Sequence, residues 1–225
     1  MKALNANSER KDIFRIDAAR YSFLIIQSCF QDLTASLKFI ENGDNSNQLA
    51  LQAFRAAWQI IDYTFRFCSL LSQLRGLKHS DTRFKRAERC YLEVEKARNY
   101  VQHLNTTIPV IPDESYPILG TISWPAQNKT TSITLSVGSH PKGTQFRSLI
   151  YDTVKGEFVN GIILNFETFG INILKIMDQV EAGYGYLNDW LIANDRLSNI
   201  ESKPSIQTFS IPPHIFARVE NTHTE

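Results

Sequence analysis

Residues 46–75 read SNQLALQAFRAAWQIIDYTFRFCSLLSQLR, and this stretch decides the fold. Its polar residues form a single seam, Gln52, Arg55, Gln59, Asp62, Arg66, Ser69 and Gln73, at alternating spacings of three and four. Nearly everything else is apolar, including Phe54, Trp58, Ile60, Ile61, Phe65, Phe67, Leu70, Leu71 and Leu74. A helix with so narrow a polar strip is covered on most sides. It is therefore expected at the centre of a helical bundle or inside a dimer. Asp62 and Arg66 stand one turn apart and can pair on the seam.

Upstream, Ile16, Ala19, Phe23, Ile26, Phe30, Leu33, Leu37 and Ile40 repeat the helical spacing and predict a first helix from Ile16. Asn42-Gly43-Asp44 stops it, because Asn and Gly accept the left-handed conformation of helix ends. Downstream, Gly76 closes the central helix. A third helix is predicted from Asp81, a suitable N-cap, to Asn105, with Ala87, Cys90, Tyr91, Val94, Ala97 and Val101 on its apolar face. Pro109 and Pro112 end the helical half.

The period then changes. Ile118, Gly120, Ile122 and Trp124 alternate with polar or small residues, as do Ile133, Leu135 and Val137, and then Phe146, Ser148 and Ile150. Gly138, Pro141-Lys142-Gly143 and Lys155-Gly156 supply turns, which predicts three or four short antiparallel strands in meander order. Helical spacing returns at Glu167, with Ile173, Met177, Val180, Tyr184, Leu187 and Leu191. The expected fold is mainly α, α+β overall. It is an antiparallel four-helix bundle with a small β meander inserted before the last long helix. The expected layout is a flexible segment over 1–15, one bundle domain over 16–193 with the β insertion at about 116–166, and a loosely packed tail over 194–225.

Composition is ordinary, 43% hydrophobic and 21% charged, which excludes a disordered chain and a disulfide miniprotein. The formal charge is +1, but residues 1–105 hold 16 basic and 11 acidic side chains against 8 and 12 in residues 106–225. The front half thus permits an anionic partner. Met1 to Asp12 lacks the apolar core of a secretory signal, and no apolar run suits a membrane span. A cytoplasmic protein with no membrane partner is expected. Cys29, Cys68 and Cys90 are widely spaced and read as reduced, buried side chains. No phosphate loop, dinucleotide fingerprint, zinc motif or nucleophile elbow occurs, so neither a cofactor nor a metal is expected.

What remains is Arg98-Asn99-Tyr100-Val101-Gln102-His103, late in the third helix. With 13 Arg, 5 His and 15 Asn in 225 residues, an Arg-Asn pair with His four places after the Asn is expected by chance only about 0.02 times. The segment resembles the Arg-Asn-x-x-x-His signature of HEPN domains. The run from Ala56 through Asp62 and Arg66, and Gly120-Thr121-Ile122-Ser123-Trp124, are also similar to uncharacterised bacterial HEPN-like proteins, over roughly residues 45–125. The resemblance implies a helical bundle that forms a homodimer and a metal-independent endoribonuclease, a toxin or phage-defence effector. It further implies an antitoxin or regulatory protein as partner. It assigns Arg98, Asn99 and His103 to catalysis.

On an ideal helix centred on Val94, Arg98 lies about 40° from the middle of the apolar face, Asn99 about 140° and His103 about 180°. Arg98 and His103 therefore diverge within one chain and share one phosphate only if the helix end unwinds; the resemblance implies a second protomer, whose own pair faces the first across a cleft. Around them, residues 75–98 carry a net charge of +4, and Arg83, Lys85, Arg86, Arg89 and Lys96 are the candidate RNA contacts. Three functions stay open on sequence: a dimeric ribonuclease, a non-catalytic module that binds RNA, a nucleotide or a protein, and a partner-binding protein. For the last, the anchors would be Trp124, Phe146 and Tyr151 in the strand region.

Overall fold

The computed structural model describes residues 6–44, 46–103, 116–128, 130–140, 142–146, 148, 150–152 and 154–194. Among these are four helices, α1 (Ala6–Glu41), α2 (Asn47–Ser72), α3 (Thr82–Gln102) and α4 (Ile173–Ala193). Between α3 and α4 lie six short strands, β1 (Thr121–Pro125), β2 (Ser132–Ser136), β3 (Tyr151–Asp152), β4 (Glu157–Phe158), β5 (Ile163–Asn165) and β6 (Gly170–Asn172). The class is α+β, mainly helical, with a small antiparallel sheet. No helix among the described residues is long and apolar enough to cross a membrane.

The central helix sits where its seam puts it. α2 packs against α1, α3 and α4, and its residues Ala53, Phe54, Ala57, Ile60, Ile61 and Phe67 are almost wholly buried. Ser46 caps it, its Oγ accepting from the Leu49 N–H. In α1 the apolar stripe from Ile16 to Ile40 faces the core, with Phe30 half-buried. At its end Gly43 adopts φ +98°, the Asp44 N–H reaches Phe39 O and the Gly43 N–H reaches Ile40 O. That pair of bonds is the Schellman arrangement, which satisfies carbonyls the helix leaves open. The helix begins earlier than the spacing indicates, at Ala6 and not at Ile16. Asp12 is buried there and takes Arg15 at 2.9 Å, so the inner face at this turn is an ion pair with no apolar signature.

The sheet differs from the expected meander. Its order is β2-β1-β5-β6, with β1 between β2 and the distant β5, and β3–β4 forms a separate hairpin. Phe146, Ser148 and Ile150 fall outside any strand; β3 starts at Tyr151. The sheet also extends past residue 166, and α4 starts at Ile173, not at Glu167. The cause is a tight turn in which the Phe166 N–H reaches Phe169 O at 2.7 Å while the two rings stack at 4.5 Å. Tyr100 of α3 packs on both rings, so the turn is fixed by tertiary contact. Periodicity cannot report such a contact.

Alternation gives the sheet two unlike faces. Ile122, Trp124, Leu164 and Ile171 join the helices in one core. The opposite face carries Thr121, Ser123 and Asn165, polar yet fully buried. Asn165 Nδ2 lies within 3.3 Å of Thr121 Oγ1 and 3.1 Å of Ser123 Oγ, and the Tyr116 hydroxyl meets Thr121 Oγ1 at 2.6 Å. Buried hydroxyls and amides paired in this way avoid the cost of stranded polar groups. Gly120 opens β1 at φ +78°, and a Cβ there would stand 2.3 Å from Asn165 O.

The three cysteines are free and buried. The Cys29 thiol donates to Gln59 Oε1. Its hydrogen bond to Cys68, followed by burial, holds the Cys90 thiol far above the ordinary thiol range. The predicted tail from 195 onward and segment 104–115, with Asn105, Pro109 and Pro112, lie outside the described residues.

Candidate nucleic-acid interface

Helix α3 carries every residue assigned to the site from sequence. Asp81 caps its N-terminus, with its carboxylate on the Arg83 N–H at 2.8 Å. Phe84, Ala87, Cys90, Val94 and Ala97 seat the inner face. The outer face is then fixed by geometry. Lys85, Arg89, Leu92, Lys96, Asn99 and His103 are all exposed and recur at spacings of four, three, four, three and four. Side chains so spaced lie on one side of a helix. The stripe covers about 27 Å at 1.5 Å per residue and ends at the imidazole.

Three acidic side chains flank this stripe, and Glu88 is exposed beside Arg89 and lines the groove described below. Glu93 is drawn sideways to Lys175 of α4 at 2.5 Å, and Glu95 accepts from the Tyr91 hydroxyl at 3.1 Å. Lys96 stands over the Phe169 ring at 4.1 Å while its residue stays exposed. Leu92 is 64% exposed in the middle of the stripe. Beside it an apolar groove of about 460 Å³ opens between α2 and α3, lined by Leu71, Phe84, Tyr91 and Leu92.

The five expected RNA contacts separate. Lys85, Arg89 and Lys96 share the stripe, whereas Arg86 is exposed away from it on the helical wheel. Arg83 is committed elsewhere: it binds Asp81 at 3.3 Å and Asp189 of α4 at 2.6 Å, and lies over the Tyr186 ring. Its hydrogen bonds hold the Asp81 carboxyl below the usual carboxylate range, and Asp81 and Asp189 raise Arg83 in return. Arg83 thus ties α3 to α4.

The three residues assigned to catalysis also separate. Asn99 and His103 are exposed on the stripe, and His103 is the C-cap of α3, its backbone N–H reaching Asn99 O at 3.1 Å. Arg98 turns the other way, toward α2. Its Nε donates to Asp62 Oδ1 at 3.1 Å and its guanidinium covers the Phe65 ring at 4.4 Å. The helix stays regular from Arg98 to Gln102, so one chain does not bring Arg98 and His103 together. Asp62 is a residue of this neighbourhood that sequence reasoning paired only with Arg66. The contact with Arg98 joins positions 36 residues apart, which no local spacing reports.

In the strand region Trp124 is buried, whereas Phe146 and Tyr151 are exposed. Among the described residues no group of three or more His, Cys, Asp or Glu side chains is placed to hold a metal ion. The chain matches no known family model, no curated protein and no solved structure, so the reading of the site stands on its own geometry.

Proposed function

We propose that α3 holds single-stranded RNA along its outer stripe, and that the protein acts as a metal-independent endoribonuclease of HEPN type where two copies meet. One observation carries the reading: the exposed stripe Lys85, Arg89, Leu92, Lys96, Asn99 leads straight to the imidazole of His103. Lysine and arginine at that spacing suit a phosphate backbone, and Leu92 with the adjoining groove offers an apolar surface for bases.

In the proposed reaction His103 takes the proton of a ribose 2′-hydroxyl, the imidazole being the side chain most often used as a general base. The 2′-oxygen attacks the neighbouring phosphorus and the bond to the 5′-oxygen breaks. The departing oxygen collects a proton and the products are a 2′,3′-cyclic phosphate and a 5′-hydroxyl. Arg98 of the partner subunit offsets charge on the phosphorane, a task suited to a permanently charged forked donor. Asn99, one turn before His103 on the same stripe, orients the ring or the phosphate.

A second reading has its own support. Arg98 faces α2, away from His103, which suits a module that binds RNA without cutting it. Purified protein incubated with single-stranded RNA in EDTA separates the two. Cyclic-phosphate products that vanish in His103→Ala support the nuclease. Salt-dependent binding without products supports the module. No affinity at low salt removes both.

A further inference from the structure

Asp62 lies on the central helix with both carboxylate oxygens engaged by guanidiniums. Oδ2 takes Arg66 through Nε at 2.9 Å and Nη2 at 2.8 Å, and Oδ1 takes Arg98 through Nε at 3.1 Å. One carboxylate thus faces two guanidiniums. Glu95, the acid one turn before Arg98, accepts from the Tyr91 hydroxyl. Among the described residues Asp62 is the sole hydrogen-bond partner of Arg98, and it occupies the Nε edge. The Phe65 ring covers one face of the guanidinium, and the side chain is 28% exposed. Among the described residues the two terminal nitrogens make no hydrogen bond or ion pair of their own.

We propose that Asp62, Arg66 and Phe65 are positioning residues that present the Arg98 fork to a phosphodiester oxygen pair. This deepens the nucleic-acid reading above and rests on it. A guanidinium fork matches the spacing of two phosphate oxygens, and a fork already held by a carboxylate and a ring loses little freedom on binding. Arg66 holds the opposite oxygen of Asp62. The alternative is a plain ion pair between α2 and α3, which would contribute to stability and nothing else.

The test uses the full chain and three variants, Asp62→Asn, Asp62→Glu and Arg98→Lys. The Arg98 Nε–H resonance is followed by NMR while inorganic phosphate is added, with sodium chloride at matched ionic strength as control. RNA binding and cleavage are measured in parallel. The expected result is a phosphate-specific shift in the wild type that Asp62→Asn and Arg98→Lys abolish and Asp62→Glu retains. The RNA measurement should follow the same pattern: Asp62→Asn is expected to lower the cleavage rate, or the affinity if there is no cleavage, by about tenfold or more. Melting temperatures of the variants should stay within about 3 °C of the wild type, as for a pair near the surface. Two results overturn the inference while the RNA reading survives: a wild-type Arg98 signal indifferent to phosphate, or an Asp62→Asn protein as active on RNA as the wild type. A phosphate response in a protein that ignores RNA overturns the phosphodiester assignment and the functional reading together.

Discussion

Gly120 shows how a single position can carry long-range information. Its φ of +78° disfavours any side chain, and a methyl group would meet a backbone oxygen, Asn165 O, which cannot rotate aside as a flexible side chain does. Gly120→Ala is expected to cost about 2–4 kcal/mol, since either the turn or the β1–β5 pairing has to open. Thermal unfolding should fall by roughly 5–10 °C, and an unchanged transition would contradict the packing described here. The glycine was legible in sequence as a small residue in an alternating run, but its partner 45 places later was not. Asp81 supports a different kind of test. Arg83 depresses its carboxyl in the folded state, so the stabilisation is present above the unfolded value near 3.9 and is lost as pH falls through the folded value. Asp81→Asn keeps a capping side chain and removes the charge. The stability gap between wild type and this variant should be open at neutral pH and close below about pH 4, as followed by denaturant melts across that range. A gap that persists in acid would assign the effect to the cap alone.

Helices were readable where buried and exposed faces repeat along their length. The α2 seam and the α1 and α4 stripes all appear in the sequence at three and four spacing, because burial of a helix is a local pattern repeated along its length. Strands were readable as short alternations but not as partners. β1 meets β5 because Ile122 and Leu164 share the core face and Thr121, Ser123 and Asn165 share a buried polar one, a match that exists only after folding. Helix α3 lies between these cases. The angles that put Arg98 near the core edge and His103 opposite it follow from helical geometry alone, and the structure has Arg98 half-buried and His103 exposed. The dispersal of the charge patch does not follow from them, since Arg83 is withdrawn by Asp189, a residue of another helix. The stripe itself makes the prediction at this scale. Replacing Lys85, Arg89 and Lys96 together by glutamine should reduce the slope of log affinity against log salt by about 2 for single-stranded RNA, at roughly 0.7 for each phosphate contact. Arg83→Gln should leave that slope alone and lower the melting temperature. An equal loss of slope from both variants would mean a diffuse field rather than a built track.

For the whole molecule the nuclease proposal requires that two groups on different sides of one helix meet at one phosphate. A flexible helix end could bring them together, but α3 is regular through Gln102. A second copy remains, and it makes a quantitative demand. If each site combines Arg98 of one protomer with His103 of the other, mixing Arg98→Ala and His103→Ala proteins after unfolding and refolding regenerates one intact site in each mixed dimer. Half the dimers are mixed and each has one of two sites, so about a quarter of wild-type cleavage should return. Neither variant alone should cleave, and circular dichroism should show both still folded. If each protomer instead used its own pair, no mixture would recover activity. The pattern also separates chemistry from binding: a protein that only holds RNA yields no product in any mixture, while its salt-dependent affinity still follows Lys85, Arg89 and Lys96.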